Sequence, residues 1–76
     1  MIETSFSHYP IGEKVYIIRE KSNIASGDVV RYGFINEGLK VYVFYNVRTE
    51  SGEIVSERSD RVFDKLTAAI LAGGTF

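Results

Sequence analysis

The sequence predicts a mainly β protein, a small antiparallel five-stranded barrel or strongly curled sheet with one short C-terminal helix. Two observations lead to this fold class. Runs of β-branched and aromatic residues recur at roughly ten-residue intervals, separated by polar turns that contain Gly or Asn. Apolar residues at helical spacing occur only near the C-terminus. Closure into a barrel would remove most of the exposed strand edges of such a sheet.

The first two strands are predicted from apolar runs in the first half of the chain. Residues 14–19 alternate in the β manner and form the first strand. The second is expected over residues 29–35, with Tyr32 and Phe34 on one face. Gly33 interrupts the other face and predicts a bulge or a sharp bend there.

The third strand shows the clearest alternation in the chain. Its odd-numbered positions are predicted to line the core: Val41, Val43, Tyr45 and Val47. Tyr42 and Phe44 then point outward. A turn at residues 36–38 makes the second and third strands a hairpin.

A second turn at residues 49–52 leads into a short fourth strand at residues 53–57, where Ile54 is the expected core residue. The pattern then changes. Residues 61–63 are interpreted as a last strand, followed by Asp64 as the N-cap of a helix over residues 65–72.

Two glycines, Gly73 and Gly74, are typical of the end of that helix. An alternative begins the helix at Asp60.

The 76-residue chain has room for one domain. We expect an N-terminal arm at residues 1–10, the domain at residues 11–72 and a flexible tail at residues 73–76. A chain of this length buries only about 60% of the surface that it exposes when unfolded, so it needs tight packing or oligomerisation.

Three segments resemble known small barrels. Residues 11–16 (Ile-Gly-Glu-Lys-Val-Tyr) and 24–30 (Ile-Ala-Ser-Gly-Asp-Val-Val) resemble the opening of Src-homology-type barrels, the Tudor and KOW kinds included. Residues 61–70 resemble a Val-Phe then Ala-Ile helix of small bacterial and phage proteins of uncharacterised role. The resemblance implies a barrel that binds peptides, RNA or other domains, and it assigns no functional residue.

Composition excludes most kinds of chemistry. The chain has no cysteine, which excludes disulfides, thiolate zinc sites and thiol catalysis. Its one histidine, His8, lies in the arm without an adjacent base and a group to orient that base, as nucleophilic catalysis requires. We therefore expect no enzymatic activity, no cofactor and no metal.

Aromatic residues are the strongest candidates for a binding surface. The predicted partner-binding residues are Tyr16, Tyr32, Tyr42 and Phe44. Outward aromatics would form an apolar patch of a kind that a monomer rarely exposes. Three explanations compete: the C-terminal helix covers the patch, the chain self-associates as a homo-oligomer, or a protein partner binds there.

Basic residues provide a second hypothesis, binding of nucleic acid. The candidate nucleic-acid or rim contacts are Arg48, Arg58, Arg61 and Lys65. Acidic residues interleave with them and the net charge is −1, so the field that attracts a polyanion is weak. A third hypothesis is an oligomer that sequesters a small ligand, as a phage inhibitor of host defence would.

Targeting features are absent from the sequence pattern. The first ten residues hold no basic start and no apolar run of signal-peptide length. The longest apolar run, residues 41–45, is far below the roughly 20 residues that span a bilayer. The sequence therefore predicts a cytoplasmic, non-catalytic interaction module, a small bacterial or phage accessory protein with no membrane association.

Overall fold

The computed structural model describes residues 9–75. Its five strands are β1 (Lys14–Ile18), β2 (Ile24–Glu37), β3 (Lys40–Thr49), β4 (Ile54–Arg58) and β5 (Val62–Phe63). They form one antiparallel sheet in the order β4-β3-β2-β1-β5. One α-helix, α1 (Leu66–Leu71), follows the last strand. The predicted fold class, five antiparallel strands with a short C-terminal helix, is confirmed.

The sheet is curled but not closed, because β4 and β5 are its two edges. Arg19 follows β1 and forms a 3.5 Å ion pair with Glu57 of β4, although β2 and β3 separate these strands within the sheet. A 3₁₀ turn at Ser59–Arg61 then carries the chain from one edge strand to the other. The curled-sheet form of the prediction therefore describes the molecule, and the closed barrel does not.

All five strands contribute to the hydrophobic core. Its buried side chains are Val15, Ile17, Val29, Val43, Tyr45, Val47, Val55 and Val62. Most are β-branched, and such side chains pack well on a pleated surface. Burial of apolar area, worth about 25 cal/mol per Å², is the main source of stability for such a core.

Tyr9 packs against this core from the end of the predicted arm. Its ring lies 5.4 Å from that of Tyr45, and its backbone N–H donates a 3.0 Å hydrogen bond to the Tyr45 hydroxyl. Burial raises the pKa of Tyr9, and the carboxylate of Asp64 raises it further. Tyr9 is therefore anchored, whereas residues 1–8 of the arm, including His8, lie outside the described residues.

β2 is longer than predicted and its bulge lies elsewhere. It begins at Ile24 because the five residues up to Asp28 pair with β1. The register with β3 shifts between Val29 and Arg31, not at Gly33. The extra residue in this bulge brings Tyr32 onto the core side of the sheet, where it packs against the core cluster.

Two predicted core residues are exposed. Val41 is 43% exposed because it lies on β3 beyond the last core position, Val43. Ile54 is 55% exposed and Val55 is buried in its place. The reason is the strand register, since Val55 lies opposite the buried Val47.

The C-terminal region forms the predicted strand and helix with shifted boundaries. Arg61 belongs to the 3₁₀ turn, and the strand that follows it rules out a helix beginning at Asp60. The N-cap of α1 is Lys65, and no side chain caps the helix there, so the prediction of Asp64 as the cap is wrong.

Glycine ends the helix as predicted. Gly73 has a φ of 104°, and the N–H groups of Gly73 and Gly74 donate to the carbonyls of Ile70 and Ala69. Thr75 then pairs with Asn23, just before β2: its N–H donates to the Ser22 carbonyl over 2.6 Å, and its carbonyl accepts from the Ile24 N–H over 2.9 Å. The segment predicted as a flexible tail is therefore hydrogen-bonded at residue 75, and Phe76 lies outside the described residues.

Candidate interaction surface

The β2–β3 hairpin carries the candidate surface on the side opposite the core. The cross-strand register sets which side chains share that side, because neighbours alternate between faces. Four opposite pairs form what we call the outer hairpin face: Arg31 with Asn46, Gly33 with Phe44, Ile35 with Tyr42, and Glu37 with Lys40.

Phe44 lies over the backbone of Gly33. A Cβ atom at Gly33 would come within 2.7 Å of two ring carbons of Phe44, so the ring occupies the space that a side chain would fill. A cross-strand aromatic covering a glycine in this way compensates for the missing side chain. Gly33 therefore leaves room for the Phe44 ring, and the pairing of the two strands is regular at this residue.

Tyr42 lies beneath a cation. The guanidinium carbon of Arg58, on β4, lies 3.9 Å from the centroid of the Tyr42 ring. Such a contact at an exposed site is worth about 0.5–1 kcal/mol. Arg58, one of the predicted rim contacts, thus borders the aromatic face.

The hairpin projects beyond its neighbours. Within residues 9–75, β1 pairs with β2 only as far as Asp28, and β4 pairs with β3 only from Phe44 onward. Several apolar side chains in the projecting part are exposed: Phe34 (51%), Ile35 (39%), Leu39 (105%) and Val41 (43%). The molecule is accordingly elongated, with a longest dimension of 42 Å.

The structure does not gather the four predicted aromatic residues. Tyr42 and Phe44 share the outer hairpin face, but Tyr32 lies on the core side. Tyr16 pairs with Ser26 of β2. Measured along the strands, this pair lies about six residues, or roughly 20 Å, from the level of Phe44. Tyr16 instead lies under the ammonium group of Lys14, 5.7 Å from its ring centroid.

The helix does not cover these aromatics. Its main contacts are with β1 and β5, at least two strands away from Tyr42 and Phe44 on β3. The explanation that assigned their burial to the helix is therefore wrong, and self-association and a protein partner are the explanations that stay.

The four predicted basic residues do not form one patch. Arg48 lies near Lys14, Asp28 and Glu50. Arg61 lies at a separate site, near Glu57 of β4. Arg58 borders the outer hairpin face, and Lys65 lies at the start of the helix, where its side chain makes no capping hydrogen bond.

Ile35 also lies on this face, although it is not among the binding residues predicted from the sequence. The turn of the hairpin indicates its position. The turn at Gly38 sets Glu37 opposite Lys40, and counting back along the hairpin places Ile35 opposite Tyr42. Ile35 extends the apolar part of the outer hairpin face toward the hairpin tip.

A second surface feature is a cleft between the start of β2 and β4, lined by polar residues and by the apolar Ile24, Ala25 and Val55. Its lining includes Ser26, Thr49, Glu50 and Glu53, and the Ser26 hydroxyl donates a 2.6 Å hydrogen bond to the Glu50 carboxylate. Among residues 9–75, no three His, Asp or Glu side chains come together as a metal would require. The Ser26 hydroxyl and the Glu50 carboxylate of this cleft therefore bond to each other.

Comparison with protein-family models, curated proteins and solved structures returns no match to this chain. In the part of the chain that the structure describes, no helix has the length and apolar character needed to cross a bilayer.

Proposed function

We propose that this protein is a non-catalytic interaction module that binds a protein through the outer hairpin face. The observation that carries the proposal is the apolar group formed by Ile35, Tyr42 and Phe44 on a hairpin that projects from the domain. A projecting surface of this kind is accessible to a partner without rearrangement of the core. The small size of the domain favours an accessory role of bacterial or phage type.

The composition of the face supports protein binding. Aromatic side chains supply most of the energy at interface centres, and charged residues surround them at the rim. Here Tyr42 and Phe44 provide the centre, while Arg31, Glu37 and Arg58 provide charges of both signs around it. We propose a cytoplasmic location, since a chain without cysteine has no need of an oxidising compartment.

The test is native mass spectrometry of protein purified gently from a lysate of its natural host. We expect the wild-type chain to carry a bound protein or a second copy, and the double variant Tyr42→Ala/Phe44→Ala to lose it. Leu71→Ala is the matched control, because Leu71 is 88% exposed on the helix and remote from the hairpin. Retention of the bound species by a folded double variant would contradict the proposal.

Nucleic-acid binding is the second candidate function. It is favoured by one observation, the stacking of Arg58 on Tyr42, since single-stranded nucleic acid binds to aromatic and guanidinium planes. Titration with a labelled single-stranded oligonucleotide at rising salt tests it. Binding that weakens steeply with salt supports this function, and no binding at low salt excludes it.

A further inference from the structure

We propose that the outer hairpin face binds the same face of a second copy of this chain, with the two β2 strands antiparallel. This inference rests on the proposed function and names the partner of that same surface. The two-fold axis would lie between the sheets, perpendicular to the strands, at the level of Phe34 on β2 and Val43 on β3. The contact is then isologous, so each interaction occurs twice.

Charge complementarity along β2 supports this arrangement. Arg31 and Glu37 lie on the same face, three residues either side of Phe34, and both are exposed. The two-fold rotation therefore places Arg31 of each copy opposite Glu37 of the other. Packed sheets lie about 10 Å apart, a gap that these two long side chains bridge.

The same two-fold rotation also places apolar residues of the two copies opposite one another. Ile35 of one copy comes to the level of Gly33 in the other, where it lies on the Phe44 ring that covers that glycine. Tyr42 likewise comes to the level of Phe44 on the opposing β3 strand. Offset or edge-to-face aromatic pairs at such an interface stabilise it beyond the area that they bury.

The register is specific. A slip of two residues would place Arg31 or Glu37 against Ile35 or the Phe44 ring, and a buried charge without a partner is costly. A parallel arrangement with β2 over the opposing β3 would pair Glu37 with Lys40 but leave Arg31 opposite Asn46. The antiparallel arrangement pairs both charges of β2 and places the two domain bodies at opposite ends.

Charge reversal tests the arrangement with the full chain. Sedimentation equilibrium should show a concentration-dependent dimer for wild type. Arg31→Glu and Glu37→Arg should each weaken self-association at least tenfold, because each places like charges opposite one another. A 1:1 mixture of the two variants should form a heterodimer, since both contacts are then attractive, and the doubly reversed chain should dimerise again.

Two controls make the result specific. Lys21→Glu produces the same change of charge in the exposed turn after β1 and should leave the dimer intact. Lys40→Glu should also have little effect, whereas a parallel dimer would lose its Glu37–Lys40 contacts. Circular dichroism of each variant establishes that it is folded, and the heterodimer shows this directly.

The outcomes separate this inference from the proposed function. A wild-type chain that is monomeric at every concentration overturns the inference, as does a dimer that Arg31→Glu leaves intact. If that monomer still binds another protein and Tyr42→Ala/Phe44→Ala abolishes the binding, the proposed function stands without the dimer. If the outer hairpin face binds only the oligonucleotide, both are wrong.

Discussion

Two glycines of β2 differ in how much room surrounds their α-carbons. A Cβ atom on Gly27 would fall against the backbone carbonyl oxygen of Arg48 and within 2.8 Å of a methyl carbon of Val47. For a Cβ atom on Gly33, the three nearest atoms all belong to the Phe44 ring. Backbone in a paired strand cannot move aside, whereas a half-buried ring on the outer face can rotate away.

We therefore expect Gly27→Ala to destabilise the fold by about 3 kcal/mol or more and Gly33→Ala by about 1 kcal/mol, the two ends of the range for overpacking. Urea unfolding of the two variants measures the difference. Gly33→Ala should also shift the aromatic resonances of Phe44, which a spectrum of the folded variant would show. Equal destabilisation by the two substitutions would contradict this explanation.

Tyr9 should make stability depend on pH in the alkaline range. Its pKa is raised above the ordinary value of 10.0 by burial and by the carboxylate of Asp64, so the unfolded chain loses this proton first. The contribution of Tyr9 to the free energy of unfolding is therefore fully present below pH 10, and it is lost as pH rises through the pKa of Tyr9 in the folded state. Denaturant unfolding of wild type and Tyr9→Phe from pH 8 to 11 tests this.

We expect the wild type to lose more stability than Tyr9→Phe above pH 10. The four other tyrosines are common to both proteins, so their ionisation largely cancels in the comparison. If the free energies of unfolding of the two proteins fell in parallel from pH 8 to 11, the Tyr9 hydroxyl would not be buried in the way described.

Strand β4 shows what the pattern of a short element can and cannot predict. The sequence predicts its existence, since an apolar pair follows a Gly-containing turn. Of that pair, the sequence analysis predicts Ile54 as the core residue, but the turn sets the register. Thr49 pairs with Glu53 across it, so Val55 faces the same side as Val47. Which residues close this turn is not encoded in the local pattern, so the sequence alone does not decide between Ile54 and Val55.

Substitution by alanine should affect the stability of the fold very differently at these two residues. Val55→Ala removes two buried methyl groups and should cost about 2 kcal/mol, from about 0.8 kcal/mol per methylene plus a cavity contribution. Ile54→Ala, on the exposed side, should change stability by less than about 0.5 kcal/mol. Thermal or urea unfolding of both variants measures this. A larger loss from Ile54→Ala would mean that another molecule covers the exposed side of β4.

The bulge in β2 had no signal in the sequence. Val30 is β-branched and suits a regular strand, and the glycine that marks many bulges occurs three residues later, at Gly33. A bulge at Val30 reverses which side chains of the following residues face the core. This is why Tyr32 was predicted on the binding surface with Tyr42 and lies on the core side instead.

At the scale of the whole molecule, the distance between Tyr16 and Phe44 depends on long-range pairing. Alternation predicts the outward direction of each side chain, which is a local property. Whether two outward residues are neighbours depends on how far β1 and β3 are offset along β2, and local patterns do not encode that offset. The sequence could therefore predict Tyr42 with Phe44, on one strand, but not the exclusion of Tyr16.

The elongated shape leads to a last prediction, about hydrogen exchange. The Cα radius of gyration is 12.8 Å, against about 11.4 Å for a compact chain of this length. The projecting hairpin accounts for the difference, because residues 35–41 lie beyond both β1 and β4. A two-stranded ribbon is only marginally stable in water. Its amides should therefore exchange through local opening, while those of Val15 and Ile17 exchange only on global unfolding.

Hydrogen exchange followed by NMR at several protein concentrations measures the protection of the hairpin amides and of the core amides. For the Arg31→Glu variant, protection of residues 35–41 should be low and independent of concentration. For wild type it should rise with concentration, because a second copy would cover Ile35 and restrain the hairpin. Full protection of the hairpin in a dilute, monomeric sample would show that contacts within the single chain already stabilise it, and that no partner is needed to hold it in place.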